Sequence, residues 1–334
     1  MTDPPGNAQL PVRAADVESA VARVLPHVRH TPTLLLADDG AGGGAGAGPA
    51  ARRQSVVLKL EQLQLGGSFK IRGAINCLAL APDGALAHGV VTASGGNHGI
   101  GVALAARRFG AAATIFLPVT APASSERLLA SLGARTVRGG AAWDDAWALC
   151  RKEAGERGAL AVHPFEDPAV IAGQGTVGLE FLDDQPDLDA LVVAIGGGGL
   201  IAGVAVAARA RRPDLCVVGV EPQGAASMHA ALAAGRVVEL DAVRTIAGTL
   251  APRAVGENTL AMARALVDEI VLVSDDELRA AMRRLWSELR LLVEPAGAAA
   301  LAALWSGRSR RLADRRRVGV LLCGANLDVD AVLG

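Results

Sequence analysis

The chain has 334 residues, 51% of them hydrophobic and 20% charged, with a formal net charge of −1. That length allows one large domain or two modest ones around an ample core, and the balanced charge excludes the basic excess expected of a nucleic-acid partner. Aromatic residues make up 3% and tyrosine is absent, which argues against base-stacking surfaces as well.

From the N-terminus, residues 1–15 read as a disordered leader with no basic start followed by an apolar run, so no signal peptide is expected. Val17, Val21, Val24, Leu25 and Val28 then recur at helical spacing, with Asp16 placed to cap them. Residues 39–51 form a Gly/Ala-rich, low-complexity loop with nothing to pack. Short apolar runs follow, at Val56–Leu60, Gly89–Thr92, Ala113–Leu117, Leu191–Ile195, Cys216–Val220, Glu269–Val273 and Val318–Cys323, alternating with longer helical patterns. After Val273, Ser274 and Glu277 make a capping box, and Leu278, Met282, Leu285, Trp286 and Leu289 share one face. Gly173-Gln174-Gly175-Thr176 reads as a helix opening and Glu294-Pro295-Ala296-Gly297 as a helix break. Strands alternating with helices predict an α/β fold, a mostly parallel sheet covered on both faces.

The 19 uncharged residues between Asp189 and Arg209 are long enough to span a bilayer. Gly196 to Gly199 interrupt them, so a buried strand, a loop and a helix are expected instead, and no membrane association. Cys77, Cys150, Cys216 and Cys323 have neither paired nor metal-ligand spacing, which points to a reducing, cytoplasmic setting. Lysine occurs only at Lys59, Lys70 and Lys152, against 30 arginines. An arginine cannot serve as an amine nucleophile, so a lysine kept in a glycine-rich context invites a chemical role, although Lys59 and Lys152 are kept without an evident one.

Ligands in such folds sit beyond the C-terminal ends of strands, and four of these positions carry unusual residues. Gly196, Gly197, Gly198 and Gly199 separate LVVAI from a helical run, where backbone N–H groups can converge on a phosphate. The same stretch is a weak dinucleotide fingerprint (Gly197, Gly199, Ala202, with Glu221 ending the next strand), so a dinucleotide remains open at this level. Gly66-Gly67-Ser68-Phe69-Lys70 would project an amine from a helix start, where the dipole and desolvation lower its pKa. Ser94-Gly95-Gly96-Asn97-His98 offers N–H groups and short side chains to a carboxylate or phenolic oxygen. Cys323-Gly324-Ala325-Asn326 ends the last strand, and taken alone Cys323 reads as a core thiol.

In this order, the segments KLEQLQLGGSFKIRGAIN, ASGGNHGIGVALAA, HPFEDPAVIAGQGTVGLE, AIGGGGLIAG, LLVEPAGAAA and LLCGANLD resemble the fold type II pyridoxal-phosphate enzymes, most of all the serine/threonine dehydratases and serine racemases. The resemblance spans roughly 16–330 and implies two open, twisted, mostly parallel sheets flanked by helices. It also implies a large cofactor-binding unit of residues 16–88 and 165–334, a small unit of 89–164, and assembly as a homodimer.

The resemblance assigns Lys70 as the imine lysine, with Phe69 packed beside the ring and Asn97 on the ring oxygen. Gly196 to Gly199 and Leu200 would cradle the phosphate, Cys323 would face the pyridine nitrogen, and Ser94, Gly95, Gly96, Asn97 and His98 would hold the substrate carboxylate. The implied reaction is loss of water from threonine, serine or a related β-hydroxy amino acid, giving a 2-oxo acid and ammonia. Three departures bear on it. Racemases of the family carry a serine where this chain has Gly95, which favours elimination. The family's cation site is matched by Glu221 and Ala225, but Ser227 replaces its second acid, so no metal is assigned. The stretch 245–252, TIAGTLAP, departs from the usual wording near the ring face. Little chain follows the catalytic unit, so no feedback domain of the isoleucine-sensing kind is expected. A β-replacement synthase, a racemase and, more distantly, a nicotinamide oxidoreductase stand as alternatives.

Overall fold

The computed structural model describes residues 10–36 and 54–327. Of the leader expected at 1–15, residues 1–9 lie outside them, and the Gly/Ala-rich loop expected at 39–51 lies wholly outside. In chain order the strands are β1 (Thr33–Leu36), β2 (Ser55–Lys59), β3 (Val90–Ala93), β4 (Ala113–Leu117) and β5 (Arg135–Arg138), then β6 (Leu160–Ala161), β7 (Ala190–Ala194), β8 (Cys216–Pro222), β9 (Glu269–Val273) and β10 (Arg317–Leu321). The helices are α1 (Ala14–Val24), α2 (Lys70–Ala79), α3 (Asn97–Arg108), α4 (Ala123–Ser131), α5 (Trp143–Arg157) and α6 (Pro168–Asp184). They continue with α7 (Gly199–Arg211), α8 (Ser227–Ala234), α9 (Glu257–Leu266), α10 (Asp275–Leu289) and α11 (Pro295–Ser306).

Two sheets organise the fold. The larger has the order β1-β2-β10-β7-β8-β9 and the smaller β5-β4-β3-β6. Every pairing is parallel except the antiparallel edge pair of β1 and β2. β4, β7 and β8 are buried along their whole length. Such two-sided burial is why they read as unbroken apolar runs without alternation. The uncharged window that could have spanned a bilayer is β7, the glycine loop and α7; no helix among the described residues is long and apolar enough to cross a membrane.

Several local expectations need correction. Helix α1 starts at Ala14, and Asp16 is its third residue: its carboxylate accepts from the Arg13 N–H at 2.8 Å, so it closes the first turn from inside. Val12 is buried, so the chain is already packed before the helix begins. Gly173-Gln174-Gly175-Thr176 lies inside α6, which opens at Pro168 with Asp167 accepting from the Ala169 N–H. The glycines are there for close approach: a Cβ on Gly173 would stand 2.7 Å from the Arg72 carbonyl oxygen of α2, and one on Gly175 2.8 Å from the Gly203 carbonyl oxygen of α7. Glu294-Pro295 opens α11 where a break was expected. The capping box of Ser274 and Glu277 forms as read, although Trp286 stays exposed.

Lys59 acquires a reason. Its Nζ, fully buried, lies 2.9 Å from both Glu180 and Asp184. Beside it Arg72, on α2, pairs with Glu61 at 2.5 Å and Glu180 at 3.0 Å. Paired charges of this kind tolerate burial because each carries its counter-ion with it. The network fastens α2, the helix that starts at Lys70, to α6 and to the turn after β2.

Candidate active site

The C-terminal ends of β2, β3, β7 and β10 lead into the four glycine-bearing segments, as open parallel sheets require. Gly66 and Gly67 take positive φ (72° and 71°), a conformation that L side chains rarely adopt. A Cβ on Gly67 would also stand 2.6 Å from Asn326 Oδ1. This double turn delivers Ser68 to a bridge with Gly324 and lets α2 begin at Lys70.

Lys70 Nζ donates to the Pro164 carbonyl at 2.7 Å and sits 5.2 Å from the centre of the Phe69 ring. Desolvation lowers its amine to about 8, against smaller raising effects from Cys323 and Glu294. The start of α2 therefore carries a half-buried amine that gives up its proton far more readily than an ordinary lysine, so that its neutral, nucleophilic form is reached near pH 8.

Gly198 adopts φ +95° and caps α7. Among the described residues no acceptor faces the N–H groups of Gly197, Gly198, Gly199 or Leu200, all four of which are buried. Buried amides without partners are rare, and four of them converging at a helix start fit a phosphate. Phe165 packs across Gly197 and Gly199, with Trp143 stacked on it at 6.3 Å. The alternative ligand, a dinucleotide, loses its ribose partner. Both Glu221 oxygens accept from the start of α8, from the N–H groups of Met228 and His229 at 2.8 Å each. Among the described residues no group of three or more His, Cys, Asp or Glu is arranged to hold a metal.

Asn97, the first residue of α3, donates through Nδ2 to Glu294 Oε1 at 2.5 Å and accepts at Oδ1 from Asn326 at 2.6 Å. One amide proton of Asn97 is left over. Ser94 Oγ accepts from the Gly96 N–H at 3.2 Å, while the first-turn N–H groups of α3, from Asn97 to Gly99, meet no acceptor among the described residues. The His98 side chain has a partner of its own. Its ring is buried and its Nε2 bonds the Val162 carbonyl at 3.1 Å, so the side chain is tied into the smaller sheet. Burial, with the Lys70 charge nearby, holds that imidazole well below its ordinary pKa and therefore neutral. Cys323 Sγ, buried, lies 3.4 Å from the Ala296 carbonyl, and burial pushes its thiol far up, so it stays protonated.

The structure thus gathers Lys70, Phe69, Asn97, Cys323 and the two glycine loops. It adds residues to which no role had been assigned. Glu294 is buried, and burial pushes its carboxyl up to about 7 against the lowering effects of Asn97, Thr249 and Lys70. Asn326 ties Gly66 to Asn97. Both stood in segments already singled out, EPAGAAA and CGAN, but no local pattern signals that they meet.

A buried amine beside unsatisfied glycine amides is a site for an aldehyde that bears a phosphate. Consistent with it, residues 26–324 match the family of pyridoxal-phosphate dependent enzymes. An L-threonine ammonia-lyase of Geobacter sulfurreducens is 44% identical over 277 residues, 83% of this chain and 68% of that protein. Maize serine racemase superposes with a TM-score of 0.90 at 34% identity, over 96% of each chain. The processed form of threonine deaminase isoform 2 from Solanum lycopersicum gives 0.86 at 32% identity, over 100% of this chain and 95% of that one. The chain belongs to the pyridoxal-phosphate dependent enzymes, and its cofactor is pyridoxal phosphate. Within them it falls among the fold type II serine/threonine dehydratases and serine racemases, and its chemistry is that of a lyase.

Proposed function

We propose that the protein eliminates water from L-threonine, L-serine or a related β-hydroxy amino acid, releasing a 2-oxo acid and ammonia. The observation that carries this reading is the Lys70 amine, lowered to about 8 and held at the start of α2 opposite four unsatisfied glycine-loop amides. Relatives named L-threonine ammonia-lyase and threonine deaminase support the substrate class.

Bound pyridoxal phosphate supplies the electron sink that makes the substrate's Cα–H acidic. The amides of Gly197 to Leu200 take the phosphate, and Asn97 has one amide proton for the ring oxygen. Cys323, a protonated thiol, is the group assigned to the ring nitrogen and offers it no negative charge. Lys70 Nζ receives the Cα proton, a transfer its lowered basicity suits at neutral pH. The free first-turn amides of α3 orient the substrate carboxylate.

Racemisation is the second reading, since maize serine racemase shares the fold so closely. Gly95 weighs against it, because it has no side chain to return a proton to the opposite face. The two-unit organisation belongs to the same proposal: residues 89–164, with the smaller sheet, close on 16–88 and 165–334 and exclude water. So do the homodimer, supported by family membership, and a cytoplasmic location, supported by four free buried cysteines.

The test is a panel of hydroxy amino acids read by oxo-acid release, on the parent protein and Lys70→Ala. Threonine or serine should yield oxo acid, and the variant should lose at least about a hundredfold in rate. Full turnover by Lys70→Ala would overturn the proposal.

A further inference from the structure

Four aromatic rings gather between the two glycine loops, and the reaction described above gives them no part. Trp143 and Trp147 stand one turn apart on α5, so their side chains share a face. They stack at 6.0 Å with 5° between the ring planes. Trp143 also stacks on Phe165 at 6.3 Å, and His163 meets all three rings edge-on, at 4.7 to 5.9 Å. Every one of the four stays partly exposed, so apolar surface is left for something else to cover.

Their position ties them to the substrate. Trp143 Nε1 donates at 2.8 Å to the carbonyl of Ala93, the residue just before the carboxylate loop. Phe165 lies across the phosphate loop: a Cβ on Gly197 would collide with its ring, and one on Gly199 would stand 2.9 Å from its carbonyl oxygen. Pro164, between His163 and Phe165, takes the Lys70 amine on its carbonyl at 2.7 Å. The cluster thus reaches both loops and the lysine that marks the reacting carbon. A substrate with its amino group at Lys70 and its carboxylate on the Ser94–His98 loop carries Cβ one bond from the carbon that bears both, and so beside these rings.

The surface they present is uncharged. The N–H groups of Phe165 and Glu166 donate to His163 Nδ1 at 3.3 and 3.0 Å, so that nitrogen keeps a lone pair and the imidazole is neutral. Partial burial, with the Lys70 charge nearby, agrees, holding its pKa down at about 4. Trp143 commits its only donor to Ala93. The neighbouring Glu166 carboxylate is taken up by the start of α9, accepting from the Asn258 N–H at 2.7 Å. Among the described residues no Lys or Arg stands over any of the four rings.

We propose that Trp143 is a specificity-determining residue: its indole, stacked on Phe165, borders the space for the substituent on the substrate's Cβ, admits a hydrogen or a methyl group, and excludes a carboxylate or an aryl ring. This rests on the β-hydroxy amino acid chemistry proposed above and deepens it by naming the substituent. An apolar border gains from a methyl group and offers a carboxylate no partner. An indole anchored at Ala93 and stacked on both Trp147 and Phe165 has little freedom to withdraw before a larger group.

The experiment measures kcat/KM of the holoenzyme by 2-oxo acid release for L-threonine, L-serine, L-threo-β-hydroxyaspartate and L-threo-β-phenylserine, in the parent, Trp143→Ala and Trp143→Phe. In the parent, threonine should exceed serine by about tenfold, the worth of one methylene in an apolar pocket. Hydroxyaspartate and phenylserine should each fall at least about a hundredfold below threonine. Trp143→Ala should raise the phenylserine-to-threonine ratio at least about tenfold, and Trp143→Phe should raise it by less, while neither admits hydroxyaspartate. Melting curves show whether the variants are folded, and the phenylalanine variant decides if the alanine variant is not. An indole that only packs α5 would lower all substrates in proportion, so an unchanged ratio overturns the proposal. A parent that turns over hydroxyaspartate as fast as threonine overturns it as well. A parent that releases no oxo acid from any of the four would instead sink the reaction itself.

Discussion

Replacing Gly198 with alanine isolates the phosphate cradle from the chemistry. The backbone there is held at φ +95°, and placing a residue with a Cβ in such a region costs about 1–3 kcal/mol. The new Cβ would stand 2.7 Å from Met228 Cε and 2.8 Å from Thr259 Cβ. The methionine tip can swing away, whereas the threonine Cβ belongs to α9 and cannot, which adds about 1–3 kcal/mol of crowding. Relief requires the loop to move, and with it the four amides that converge on the phosphate. At 1.4 kcal/mol per factor of ten, even the lower sum of about 2 kcal/mol weakens cofactor binding about thirtyfold. The assay is titration of apoprotein with pyridoxal phosphate, read by absorption and tryptophan emission, with a melting curve to show that the variant is folded. A folded Gly198→Ala protein that binds within about twofold of the parent would refute the assignment of this loop.

Two further outcomes follow from the charges. Attachment of cofactor to apoprotein requires a neutral Lys70, so its rate should rise about tenfold per pH unit and level off near 8, where burial has lowered the amine; a stopped-flow pH series that keeps climbing beyond 10 would contradict this. Arg72→Met leaves Glu61 buried without a cationic partner and Glu180 with Lys59 alone, and should lower stability by about 3–5 kcal/mol, visible in thermal melts. Arg72 and Lys59 hold the Glu180 carboxyl down to about 2, so its contribution is fully present above the ordinary carboxylate range and is lost as pH falls towards 2. The variant should therefore show a flatter acid-unfolding profile between pH 5 and 2, and an unchanged profile would count against the network.

The fully buried strands were legible because burial on both faces leaves an unbroken apolar signature: β4 matches its expected bounds, β8 starts where expected, and β7 begins one residue early. The strands that escaped notice carry no such mark. β1 is only partly buried, β5 has arginine at both ends, and β6 is two residues long. Glycine misled in α6, where Gly173 and Gly175 suggest a boundary but serve contacts with α2 and α7 that no local pattern encodes. The same division runs through the site. Lys70, Asn97 and the 196–199 loop are visible because each stands in a glycine-rich strand-to-helix turn. Pro164, Glu294 and Asn326 come from separate segments that only the folded chain brings together. His98 shows the converse: neighbourhood in sequence placed it with the loop, yet its ring bonds to Val162.

Borohydride reduction of the holoenzyme, followed by proteolysis and peptide mapping, addresses the attachment point itself. The pyridoxyl label should appear on the peptide containing Lys70 and on neither Lys59, locked between Glu180 and Asp184, nor Lys152, on the surface. A label on either of those lysines, or none, would contradict the assignment of Lys70.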